Sequence, residues 1–183
     1  MINLLRHMSI RKKQAYAALC LASFCAEKQI FHQGIKELIE HLLSILIKEN
    51  LVKWENEGCS LEIPGRGDPL PDSIKAILSE DIYDVFYLLI ECAIEVGIVD
   101  MYGALSDEPL SFLLECIKIV QSSGVEIPDI NDVFNKKDIE NASDSGWGET
   151  MSNEEYEKVI CIYNQIMGFS NALEGSCQGR AEQ

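Results

Sequence analysis

The sequence predicts an all-α protein, a single-domain bundle of about six to eight helices over residues 1–172, followed by a flexible tail at 173–183. Three observations carry this expectation. Apolar residues recur at spacings of three and four through most of the chain, and no segment shows the alternation of a strand. Glycine and proline fall at the ends of the periodic segments rather than inside them. The chain has 183 residues, of which 47% are hydrophobic and 25% charged, which suits one domain with a sizeable core.

Residues 9–27 read as a first helix with Ser9 as N-cap, its stripe formed by Ile10, Ala17, Leu21 and Phe24. Residues 31–48 read as a second, in which Ile35, Leu38, Ile39, Leu42, Ile45 and Leu46 share a face. A short helix over Leu51–Glu57 stops at Gly58. The stretch 58–71, with three prolines and three glycines, is a loop in which Leu61–Ile63 is at most a short extended piece. Pro71-Asp72 opens a helix to about Leu78.

Residues 81–96 form the most apolar helix. Ile82, Val85, Phe86, Leu89, Ala93 and Val96 line one stripe, widened by Leu88, Ile90 and Cys92, so a central position is expected. Gly97 reads as its left-handed terminator. After a turn at 98–106, residues 107–122 form the next helix, with Pro109 in its first turn and Gly124 beyond its end. A turn of helix falls at 130–134. Ser152-Asn153-Glu154-Glu155 is a capping box that starts the last helix, with Met151 and Tyr156 placed as a hydrophobic staple.

Charge is the first functional signal. The chain carries 30 acidic and 15 basic residues, a net of −15. Residues 1–50 hold seven Lys/Arg and four Asp/Glu, and the remainder hold eight and 26. Such a field repels phosphate backbones, so no direct nucleic-acid binding is expected, and it attracts basic proteins. No apolar run reaches the length of a membrane span. Arg11-Lys12-Lys13 before the run Ala15–Ala26 imitates a secretion signal, but that run is weakly apolar and helically striped. The seven cysteines include no Cys-x-x-Cys pair, and Cys92, Cys116 and Cys161 sit within apolar helical stretches. A reducing, cytoplasmic location follows as the expectation.

No catalytic, metal or cofactor motif emerges. His32 and His41 lie out of phase on one helix, and Glu37 with His41 lacks a third ligand, which reads as a solvated face. There is no Gly-x-Ser-x-Gly elbow, and Gly65-Arg66-Gly67 lacks the context of a nucleotide fingerprint. Cys25 and His32 could meet near a turn, by coincidence of spacing. Glu91 and Glu95 read as like-charged neighbours on a wet helix face. Arg66-Gly67-Asp68 reads as part of a braced Gly/Pro turn.

The candidate binding residues lie in two acidic segments. From Asp138 through Glu157 there are seven acidic residues and no Lys or Arg. Within that stretch Asp144, Trp147, Glu149, Glu154 and Glu155 offer an aromatic anchor ringed by carboxylates. Glu154 and Glu155 also favour the start of the last helix through its dipole, and Trp147 is equally suited to covering the core. The second set is Asp100, Tyr102, Asp107 and Glu108.

With Gln14-Ala15-Tyr16-Ala17-Ala18-Leu19-Cys20, Gly65-Arg66-Gly67-Asp68-Pro69-Leu70-Pro71 and Val99-Asp100-Met101-Tyr102-Gly103, residues 10–128 resemble the immunity proteins of bacterial contact-dependent growth inhibition and related polymorphic toxin systems. The resemblance implies a cytosolic protein that binds the C-terminal domain of a toxin, commonly a basic nuclease, and covers its active site. No residue role carries over, because these families share no binding residues. The alternatives from other classes are a small enzyme with a carboxylate or thiol site, and an adaptor or homodimeric subunit using the apolar surface of 81–96.

Overall fold

A computed structural model describes residues 2–135, 139 and 146–169. The expected tail at 173–183 and Asp144 lie outside the described residues. Nine helices and no strand are found among the described residues: α1 (Ile2–His7), α2 (Ile10–Glu27), α3 (Gln33–Ser44), α4 (Leu51–Gly58), α5 (Asp72–Lys75), α6 (Glu80–Glu95), α7 (Glu108–Ser122), α8 (Ile130–Val133) and α9 (Asn153–Ile166). The fold is all-α, as the periodicity indicated.

The centre is α2, and not α6. Its residues from Ile10 to Cys25 are buried apart from half-buried Lys12, and it packs against α7, α3, α6 and α9. The helix succeeds there because it is built from Ala, Cys and Ser, whose small side chains let neighbouring backbones close in around it. Hydropathy alone points to α6, but α6 keeps Val85 and Leu88 exposed, at 37% and 47%. Its remaining apolar face, with Phe86, Leu89, Ile90 and Ala93, is buried and packs on α7 and α2.

Three of the polar side chains that α2 takes inward are each matched to a carbonyl. Arg11 donates from Nε to the Gly148 carbonyl (3.3 Å) and from a terminal nitrogen to the carbonyls of Ile45 and Lys48. Lys13 donates to the Met8 carbonyl at 2.6 Å, and Gln14 Nε2 to the Ala93 carbonyl at 2.7 Å. Arg11 thereby holds the end of α3, where i→i+3 bonds at Leu46 and Ile47 stop the helix at Ser44, short of the expected 48.

Two further differences have local causes. The six-residue α1 is too short to announce itself by period, and it is held by packing of Leu5 and the adjacent Met8, both fully buried. Gly97 is not in the left-handed region. It is glycine because a β-carbon there would run into Gln14 Oε1 and lie 3.0 Å from Trp54 Cη2. The start of the last helix is as expected: the Ser152 side chain and Glu155 form the reciprocal capping box, and Met151 and Tyr156 pack half-buried on the core.

Candidate functional site

The two acidic segments converge on the first turn of α2. On one side, Ile10 N donates to the Gly146 carbonyl (2.8 Å) and Arg11 holds the Gly148 carbonyl. Gly148 has φ +73°, and a β-carbon on it would sit 2.5 Å from Ser9 Cβ, so only glycine lets the loop lie this close. On the other side, Leu105, Ser106 and Asp107 border Ile10, Lys13, Arg6 and Leu110 around a cavity of about 400 Å³. Segments separated by some forty residues in the sequence thus flank one helix end.

The sequence-derived residues divide by what they touch. Tyr102 is 73% exposed, Leu105 is 58% exposed, and Asp107 and Glu108 are exposed beside them. Glu149 and Glu154 are likewise exposed. Trp147 is half-buried and packs against the core, so part of its ring is structural. Glu155 accepts from the Ser152 amide and hydroxyl, and those bonds hold its carboxyl below the usual range. Asp100 is only 5% exposed; its two oxygens take the Ser106 amide and hydroxyl, both at 2.7 Å. Its place is inside the 98–107 turn, bracing it, and it does not offer itself to a partner.

The organising residue that the sequence did not single out is Glu55. It is 6% exposed, ion-paired with Arg66, and accepts from the Tyr102 hydroxyl at 2.9 Å. The Arg66 bond, chiefly, holds the Glu55 carboxyl below its ordinary value against the opposing effect of burial. One carboxylate therefore ties the 58–71 loop and the 98–107 turn to α4. An exposed tyrosine whose hydroxyl is fixed in this way is pre-organised, which reduces the entropy lost on binding. Arg66 does not bond to Asp68 as its turn position suggested; it crosses to α4, from a backbone at φ +63°.

Two other residues or pairs differ from expectation, while Cys25 and His32 remain a coincidence of spacing. His41 is not on a solvated face. It is half-buried, stacks on Trp54 (centroids 4.8 Å apart, planes at 8°), and burial pulls its pKa down to about 4. Glu91 and Glu95 are half-buried, and not on a wet face. Glu91 accepts from the Gly67 amide at 2.7 Å, while burial and then Glu91 push the Glu95 carboxyl up. Cys25 is fully buried with its thiol pushed up, and His32 caps α3 through the Gly34 amide, so no activated thiolate forms there.

His41, Glu55, Cys59 and Arg66 do border one cavity, between α3, α4 and the 58–71 loop. It measures about 20 Å³, room for about one water and not for a substrate. No group of metal-ligating side chains is present among the described residues, and no described helix is long and apolar enough to cross a membrane. No family model, curated protein or solved structure matches the chain.

Proposed function

We propose that this chain is an immunity protein, which binds a basic toxin domain, in the first instance a nuclease, and neutralises it by covering its active site. One observation supports this most. Among the described residues Glu55 and Asp100 are the buried carboxylates and the others reach the surface, whereas Arg11 and Lys13 of the basic N-terminal segment are buried. Two carboxylates and two cations are thus withdrawn together, and the outer surface keeps the full excess of negative charge that the composition gives. The partner surface that complements it is cationic, as a nuclease cleft is where it holds phosphates.

The face around the start of α2 is where we place the contact. Tyr102 and Leu105 supply exposed apolar area, and Asp107, Glu108, Glu149 and Glu154 supply charge at its rim. The mechanism is occupancy without turnover: carboxylates stand where substrate phosphates would, and the tyrosine anchors them. Long-range attraction raises the association rate toward about 10⁸ M⁻¹s⁻¹ at low salt.

The test uses the reading frames adjoining the gene for this chain: one that encodes a basic, growth-arresting domain serves as the partner, and the lack of any such frame counts against the reading. Co-expression should rescue growth, and the association rate of the purified pair should fall steeply with salt. Tyr102→Ala should raise the dissociation rate, and Asp107→Lys with Glu108→Lys should slow association. A salt-independent rate, or full rescue by the charge-reversed variant, sinks the reading.

A further inference from the structure

The cavity beside Lys13 has a composition that protein binding does not account for. It occupies about 400 Å³ and is lined by Arg6, Ile10, Lys13, Leu105, Ser106, Asp107 and Leu110. That is within the range of small-molecule sites. Lys13 is 5% exposed and donates to the Met8 carbonyl, yet no carboxylate ion-pairs with it among the described residues. An ammonium has three donors, so this one brings buried, unspent hydrogen-bonding capacity to the cavity wall. Arg6 adds a second cation at the exposed rim.

Asp107 is the opposing charge. It stands at the N-cap of α7, where a carboxylate ordinarily accepts from the helix amides, but its side chain makes no cap bond. The Ser106 hydroxyl instead accepts from the Glu108 amide, at 3.1 Å. The Asp107 carboxylate is thus left beside the cavity, together with the apolar side chains of Ile10, Leu105 and Leu110. Two cations, a carboxylate that makes no cap bond and three apolar side chains describe the complement of a zwitterion with a hydrocarbon side chain.

We propose that this cavity binds a small apolar α-amino acid. Lys13 and Arg6 hold its carboxylate, Asp107 holds its ammonium, and Ile10, Leu105 and Leu110 cover its side chain. The proposal does not rest on the toxin reading, since it requires no protein partner, although the cavity shares Leu105 and Asp107 with the face assigned there.

Titration of the full chain with three probes tests it, by calorimetry and by the shift of the thermal midpoint. The probes are L-leucine, 4-methylpentanoate, which lacks the amine, and 3-methylbutylamine, which lacks the carboxylate. Leucine should bind with a dissociation constant of about 1 mM or tighter, and each truncated analogue at least about tenfold more weakly. Lys13→Met should abolish leucine binding while keeping the helical circular dichroism. Arg6→Met, on the exposed rim and safe for folding, should weaken it. Asp107→Asn should weaken leucine and leave 4-methylpentanoate unchanged. Absence of leucine binding, equal binding of the amine alone, or unchanged affinity in Arg6→Met together with Asp107→Asn overturns the proposal.

Discussion

His41 makes the fold sensitive to mild acid, and the effect can be isolated. In the unfolded chain its imidazole takes a proton near the ordinary value of 6.5, whereas in the folded protein it resists protonation until about 4. The ring lies against the Gly58 backbone and on Trp54, and the indole nitrogen is committed to the His41 carbonyl at 2.9 Å. Burial therefore outweighs the Glu57 carboxylate, which favours the charged ring, while Lys48 opposes it. Between the two values the unfolded state binds more protons, so stability falls as pH drops through that window and levels off below about 4.

At about 1.4 kcal/mol per pH unit, acidification to about pH 5 has a ceiling near 2 kcal/mol. Water reaches the half-buried ring, which brings the expected loss to about 1–1.5 kcal/mol. Urea unfolding followed by circular dichroism at about pH 7, 6 and 5 measures it, with His41→Phe as the control. Phenylalanine keeps the stack on Trp54 and cannot titrate. The depressed carboxylates of Glu55 and Glu155 lose their contribution only as pH falls below the ordinary carboxylate value of 4.5, and they do so in both proteins. If wild type and His41→Phe lose equal stability between pH 7 and 5, the burial argument for His41 is wrong.

Two further substitutions probe the frame of the site. Gly97→Ala should cost about 1–3 kcal/mol in urea unfolding, because Gln14 is anchored on Ala93 and Trp54 is packed, so neither yields readily to the new methyl. Glu55→Gln should cost about 1–2 kcal/mol through loss of the charged bond to Arg66, and a double-mutant cycle with Arg66→Met should show coupling above about 0.5 kcal/mol.

The helices were legible because their signals are local. Ser152 and Glu155 are three residues apart, and the stripes of α3, α6 and α7 repeat within a few turns. What the sequence concealed depends on pairings across the chain. Nothing in Glu55 itself distinguishes it from the neighbouring Glu57, since its burial comes from Arg66 and Tyr102, eleven and 47 residues away. Asp100 looked like a surface charge because its partner, Ser106, is seen only once the turn closes. The central role of α2 was hidden by its composition: Ala, Cys and Ser score as weakly apolar, yet their small volume is what permits burial on every side.

The same packing shapes the electrostatics. A central helix that opens with Arg11, Lys12 and Lys13 brings cations into the interior, and Arg11 and Lys13 are tolerated there because chain ends supply carbonyls: Ile45 and Lys48 after α3, Gly148 before α9, and Met8 after α1. Three connections are thereby pinned to one helix end. Two cations do this, and their withdrawal is matched by that of two carboxylates, Glu55 and Asp100, so the net surface charge is unchanged. Replacing Arg11 by an apolar residue would therefore strip two loops of their anchor, including the one that carries Trp147. A lysine there would place one point charge where the guanidinium reaches three carbonyls at once. The order of these loops therefore originates in the first turns of α2.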